Sequence, residues 1–165
     1  MSSWRTSLAE GLRAGTAASV VSTAVLIAGG RAHTGHAFSA TNATSHWVWG
    51  RPALYVNAPS MRHTAIGYVV HHGASIFWAV LHAQATAHKP NANSPRAVMT
   101  SALVTSAVAC VVDFWLTPTR LTPGFEHRLP RTTIGVVYLA FGLAMGVGAL
   151  CWRRSAKHRT KKAAR

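Results

Sequence analysis

Acidic residues are almost missing from this chain. Its 165 residues include only Glu10, Asp113 and Glu126, against seventeen Lys and Arg, for a net charge of +14. Cysteine is as scarce, with Cys110 and Cys151 alone, which excludes a disulfide scaffold. Charge of either sign is limited to 12% of residues while 49% are hydrophobic, which excludes a disordered chain. The length fits one domain. The basic excess invites a nucleic-acid reading, but its distribution opposes one. Four stretches, 14–30, 63–88, 97–119 and 132–152, contain no Lys or Arg, and Asp113 is the single acid inside them. A soluble basic protein cannot leave four such stretches uncharged and still cover its surface.

What is present instead is membrane-length apolar sequence. Crossing a bilayer as a helix takes about 20 apolar residues, and the backbone in lipid must satisfy its own hydrogen bonds. The sequence therefore predicts an all-α, integral membrane four-helix bundle with spans at about 12–30, 64–84, 97–116 and 133–152. These form a single domain, 1–152, followed by a basic tail, 153–165. No strict apolar/polar alternation supports an outer-membrane barrel. Arg5 and Arg13 would supply the basic region of a signal peptide and Ala28-Gly29-Gly30 a cleavage site, but the apolar run is longer than the usual ~7–15 residues, so the first span reads as retained. Trp47, Trp49, Trp115 and Trp152 fall near the expected membrane borders, where amphipathic rings are favoured. Trp78 falls inside the second span and is expected to pack between helices.

An even number of spans puts both termini on one side. That side would carry Arg5, Arg13, Lys89, Arg96 and the seven basic residues after position 152; the other would carry Arg31, Arg51, Arg62, Arg120, Arg128 and Arg131. The excess places both termini in the cytoplasm. Arg153, Arg154, Lys157, Lys161 and Lys162 then read as contacts to anionic lipid headgroups. The tail has neither a folded reader nor interleaved aromatics, so no specific nucleic-acid partner is expected. Membrane lipids are the expected partners, with a membrane-protein partner or a second copy of the chain left open.

Small residues recur every four positions: Gly11, Gly15, Ser19 and Thr23; Gly67, Ser75, Ala79 and Ala83; Ala102, Ser106 and Cys110; Gly142 and Gly146. Such rows let helices approach closely in lipid, and packing within the chain is the expected use. Under the four-span topology Cys110 and Cys151 lie at different depths and cannot form a disulfide. Both read as small core residues.

Any chemistry rests with the histidines. His71 and His72 lie roughly 11 Å inside the second span at 1.5 Å per residue, and an intramembrane ionisable group is a functional candidate. Adjacent residues on a helix point about 100° apart, so the pair does not chelate one ion from a regular helix. Asp113 lies in the same outer half, and His46, His63, Arg120, Glu126 and His127 are on the outer loops. His71, His72, Asp113, Glu126, His127 and His46 together make a candidate ligand set for zinc, copper or iron. The plainer reading is a polar network in which Asp113 accepts from His71, His72 or Arg120, with His63 nearby. Arg120 has Asp113 or Glu126 as its natural ion-pair partner. His82 reads as interfacial. Haem is disfavoured, because only the second span contains histidine and no C-x-x-C-H is present. No P-loop, G-x-S-x-G, H-E-x-x-H or G-x-G-x-x-G occurs.

The long outer connection, 31–63, contains Ala40–Tyr55, rich in Trp, Val and Ala, which is expected to form a short interfacial or re-entrant helix, with His46, Trp47 and Trp49 as a lid. Asn42-Ala43-Thr44 matches a glycosylation sequon by coincidence. The second outer link has Pro118, Pro123 and Gly124 to fix its turns. With SHWVWG at 45–50, the adjacent histidines 71–72 and DFWLTPTRLTPGFEHRL at 113–129, the chain resembles a group of small bacterial inner-membrane proteins of no established activity. That resemblance implies a membrane location and no mechanism. Three functions stay open: an accessory or structural membrane protein with an outer His/Asp/Arg/Glu cluster, a metal-binding protein or metalloenzyme, and a proton-coupled carrier. Whether the chain is an enzyme is not settled by any motif.

Overall fold

The computed structural model describes residues 4–87, 89 and 94–163, the side chains from 159 onward excepted. The described residues are helical without strands: α1 (Trp4–Thr34), α2 (Ser39–Thr44), α3 (His46–Trp49), α4 (Ile66–Thr86), α5 (Pro95–Val111) and α6 (Arg131–Ala163). Four helical segments, Trp4–Thr34, Met61–Thr86, Pro95–Leu116 and Arg131–His158, are long and apolar enough to cross a membrane. They correspond to the four expected spans, and each begins earlier or ends later than its apolar run. The basic tail is not a separate element but continues α6 through Ala163. The link between α4 and α5 lies largely outside the described residues.

Local sequence explains the helix ends. Gly35 follows α1 with φ +74° and its N–H bonds the Arg31 carbonyl at 3.2 Å, an αL stop that costs glycine nothing. Ser60 opens the second span, its hydroxyl accepting from His63 N–H at 3.1 Å. Pro95 occupies the first turn of α5, where its missing N–H has no helical partner to lose. That helix ends in a π turn, Val112–Leu116, closed by Thr117 N–H to the Val112 carbonyl at 2.9 Å. Pro118 then holds Thr117 extended and stops the helix.

The small-residue rows work within the chain. A Cβ added to Gly15 would lie 2.6 Å from Ile76 Cα, so α1 and α4 meet backbone to backbone. Gly148 brings α6 against Ala14 of α1, and Gly142 brings α6 against Ser106 of α5. The resulting core is rich in alanine: Ala14, Ala18, Ala79, Ala102 and Ala149 are buried with Phe141 and Met145. A second cluster joins Leu26, Phe125, Leu129, Ile134 and Val137 toward the end of the molecule opposite both termini, which is labelled the outer end, the terminal end being the inner one. Helix α1 packs on α4 and α6, and α6 packs on α5, whereas α4 and α5 share far less surface. Cys110 and Cys151 are free thiols; Cys151 is exposed rather than a core residue.

Two polar links close the inner end. Arg153 Nε donates to both Glu10 oxygens at 2.9 and 3.0 Å, and Arg153 Nη2 donates to Glu10 Oε1 at 2.6 Å and Thr86 Oγ1 at 2.7 Å. One guanidinium thereby ties α1, α4 and α6. His82 Nε2 lies 2.9 Å from Ser101 Oγ and joins α4 to α5. These contacts correct two expectations. Arg153 is engaged with a buried carboxylate rather than with lipid headgroups, and His82 is fully buried rather than interfacial. Arg154 and Lys157 are exposed; the side chains of Lys161 and Lys162 lie outside the described residues.

Breaking one half of the inner ion pair strands the other. Arg153→Met should cost about 3–5 kcal/mol in a detergent unfolding titration, and adding Glu10→Leu to it should recover most of that loss. Equal damage in single and double variants would contradict the account. Gly15→Leu should cost about 1–3 kcal/mol by forcing α1 from α4.

Candidate functional site

The weak contact between α4 and α5 leaves a cavity of about 410 Å³ in the outer half of the molecule. Val70, His71, Ala74 and Trp78 from α4 form one wall, and Ala109, Val112 and Asp113 form the other. Val137, Tyr138 and Phe141 of α6 make the back. Exposed Gly73 and Phe77 also line it, and a Cβ on Gly73 would meet nothing within 4 Å, so the cavity reaches the surface beside α4.

His71, Asp113 and Tyr138 are the titratable side chains of a mostly apolar lining that also includes Thr44, Ser75 and Thr117. Tyr138 Oη donates to Asp113 Oδ2 at 2.6 Å. Tyr138 is itself pinned: Ser106 Oγ donates to its carbonyl at 2.5 Å, and its ring stands edge-on to Phe114, centroids 6.0 Å apart. The π turn carries Asp113, and an insertion of this kind re-aims side chains at a helix end. On the opposite wall, His71 Nε2 lies 2.8 Å from Ser22 Oγ of α1. Ser22 is fully buried, donates to the Ala18 carbonyl at 2.7 Å and is absent from the cavity lining, so the pair is a helix–helix link and not a nucleophile with its base.

The outer end is closed by two interlocked loops. All six residues of α2 are buried, and Gly67 of α4 has no room for a Cβ against the Thr41 carbonyl. Asn42 Nδ2 donates to the Val56 and Ala58 carbonyls, each at 3.0 Å, and Thr64 Oγ1 donates to Asn42 Oδ1 at 2.7 Å. Asn42 is a fully buried structural pivot with no room for a glycan. The second loop locks onto the first: Trp47 Nε1 donates to the Thr122 carbonyl at 2.8 Å, and Arg120 Nη1 donates to the His46 carbonyl at 2.9 Å. Gly124, at φ +88°, lets the chain pass where a Cβ would lie 2.6 Å from the Ala43 carbonyl and 2.7 Å from His46 Nδ1. Trp47, Leu121 and Pro123 of these loops then cover the cavity from above. The short helix expected over Ala40–Tyr55 is thus three pieces, α2, α3 and a 3₁₀ turn at Arg51–Tyr55, and α2 is buried within the fold.

Of the sequence candidates, the structure brings His71 and Asp113 to one cavity and distributes the others. His72 stacks on Tyr68, ring centroids 5.5 Å apart. His46 is buried, its Nδ1 donating to the Ala43 carbonyl at 2.9 Å, and His63 Nδ1 lies 3.2 Å from Ser45 Oγ. Glu126 stands 4.0 Å from His127, and His127 meets the Tyr55 ring edge-on. Among the described residues no three His, Cys, Asp or Glu side chains converge as a metal site, so the expected ligand set of His71, His72, Asp113, Glu126, His127 and His46 is not assembled. Arg120 pairs with neither Asp113 nor Glu126; its reach is spent on the His46 carbonyl. Asp113 accepts from Tyr138 rather than from His71, His72 or Arg120.

Tyr138 was the missed member of this site. A single phenol in an otherwise apolar span, TIGVVYLAFGLAMGVGALCW, was the available signal, since a buried hydroxyl needs a partner. Glu10 was missed because it precedes the apolar run, although it lies within α1. Comparison of the chain with protein-family models, curated proteins and solved structures finds no match.

The loop interlock is directly testable. Trp47→Phe and Arg120→Met should each cost about 1 kcal/mol and should raise hydrogen exchange across 118–124 while leaving the middle of α1 protected. Unchanged exchange in that loop would show that the two loops do not hold each other.

Proposed function

We propose that the chain is a multi-pass protein of the bacterial inner membrane, of accessory rather than catalytic type, that binds a small hydrophobic molecule with a polar end. Its spans form a four-helix bundle with both termini cytoplasmic, and the binding site is the cavity between α4 and α5. One observation carries this reading: a cavity of about 410 Å³ whose apolar walls hold a few fixed polar groups, His71 and the Tyr138–Asp113 pair. Ligand sites commonly have this size and makeup, apolar surface for affinity and sparse polar groups for orientation.

The surface supports membrane insertion. Val20, Val69, Phe77, Val104, Leu139 and Val147 are large apolar residues exposed on all four long helices. In water such a belt would drive association; in lipid it is the expected outer face. The cavity opens beside Phe77 on this same belt, under the two covering loops, so access is sideways from lipid.

The pocket is tested with triphenylphosphine oxide, a neutral apolar probe with one polar end, titrated into the protein in lipid nanodiscs. Trp47 and Trp78 line the cavity and report its occupation by fluorescence. Saturable quenching is expected for the wild type, with at least a tenfold loss in Gly73→Phe, which fills open space. Linear, identical responses in both proteins would reflect partitioning into lipid and would sink the reading. For orientation, Thr119→Cys should react with an impermeant maleimide on intact spheroplasts and Ser155→Cys should not, both in a Cys110→Ser, Cys151→Ala background. The reverse pattern would invert the topology.

A further inference from the structure

The chemistry of the cavity specifies more than apolar character. Asp113 lines it with one hydrogen-bond donor, Tyr138, and among the described residues no Lys, Arg or His stands within ion-pair distance of it. No Lys or Arg lines the cavity at all. This contrasts with Glu10, the other carboxylate carried on a membrane-length helix, which has a bidentate arginine. A carboxylate among apolar walls is costly without a compensating positive charge. The walls supply the second half of the argument. Six aromatic side chains, Trp47, Phe77, Trp78, Phe125, Tyr138 and Phe141, line the same space. Aromatic faces attract cations, most strongly where water is excluded, and an aromatic enclosure is the usual means of recognising an alkylated ammonium group.

Building on the cavity proposed above, we infer that its occupant is a lipophilic organic cation, an alkylated ammonium or similar onium group on an apolar body. Asp113 acts as counter-ion, the aromatic side chains as the cage, and the aliphatic lining of Val70, Ala74, Ala109, Val112 and Val137 as the seat for the body. Tyr138 is a positioning residue: its hydroxyl fixes the Asp113 carboxylate through Oδ2 and leaves Oδ1 to face the cation. His71, bonded to Ser22, carries the far wall. The occupant enters from the membrane as a free lipophilic cation. A lipid with an ammonium headgroup carries the same chemistry, and the experiment separates the two sources.

The test compares tetraphenylphosphonium with triphenylphosphine oxide, probes of similar bulk that differ in charge. Both are titrated by tryptophan fluorescence into the full chain in nanodiscs with a fixed phosphatidylglycerol fraction. The cation should bind at least tenfold more tightly than the neutral probe. Asp113→Asn, which keeps an acceptor for Tyr138, should erase that preference. Trp78→Leu should weaken the cation severalfold more than the neutral probe, and it serves if the Asp113 variant does not fold. Equal affinities in the wild type, or a preference that survives in Asp113→Asn, would overturn the cation inference and leave the cavity reading intact. No saturable binding of either probe would remove both. Making the remaining lipid phosphatidylethanolamine rather than a nitrogen-free glycolipid should leave cation binding unchanged. A tenfold weakening there would overturn the free cation and assign the site to a lipid headgroup.

Discussion

The close approach of α1 to both α4 and α6 is the constraint from which the rest of this architecture follows. Gly15 against Ile76 and Gly148 against Ala14 leave no side chain between the backbones. Helices in lipid gain little from the hydrophobic effect on meeting one another, so dense packing and polar links have to hold them. With α1 fixed on two sides, α6 engages α5 through Gly142 and Ser106, and nothing comparable remains for the pair α4 and α5. Among the described residues, a polar link between them, His82 to Ser101, lies at the inner end. The outer halves stand apart, and the cavity is the space that this leaves. The cavity is therefore a consequence of where the small residues are and of where they are not.

The two outer loops make that opening one-sided. Helix α2 fits against α1 and α4, and the turn around Gly124 fits against α2. Each loop alone would leave the backbone carbonyls that the other now satisfies without their side-chain donors. Together, Trp47 and Arg120 reach across and satisfy the Thr122 and His46 carbonyls. The cover explains why prolines, a positive-φ glycine and paired tryptophans cluster in two segments far apart in sequence. With the outer end covered, the cavity's opening lies between α4 and α5, beside exposed Gly73 and Phe77.

Much of this was readable from the residues. Four uncharged stretches gave four long helices, because length and apolarity are properties of a segment alone. The rows of small residues announced close packing for the same reason. The partnerships were not readable. Arg153 looked like part of a basic tail because α6 does not stop at the apolar border, and its partner Glu10 lies 143 positions away. Helical geometry points His71 and His72 apart, yet the meeting of His71 with Ser22 of α1 depends on how the helices are arranged. The metal reading counted ligands in the outer half without knowing their directions. Arg120 seemed bound to pair with an acid, but the fold places a carbonyl in its reach first.

The acids show why placement decides function here. Seventeen cationic side chains are available to neutralise three carboxylates, so an acid in an apolar helix of this chain has many possible partners. Glu10 takes one, with two-point geometry and a third contact to Thr86 through the same arginine. That arrangement has the completeness expected of a structural ion pair. Asp113 sits near the end of its helix, only seven residues before Arg120, yet Arg120 turns to the loop and a neutral phenol takes its place. A purely structural role for Asp113 would have been served as well by an asparagine, which accepts the same hydrogen bond without the cost of a charge. A carboxyl held by a neutral donor among aromatic rings is better explained by positive charge that arrives from outside the chain.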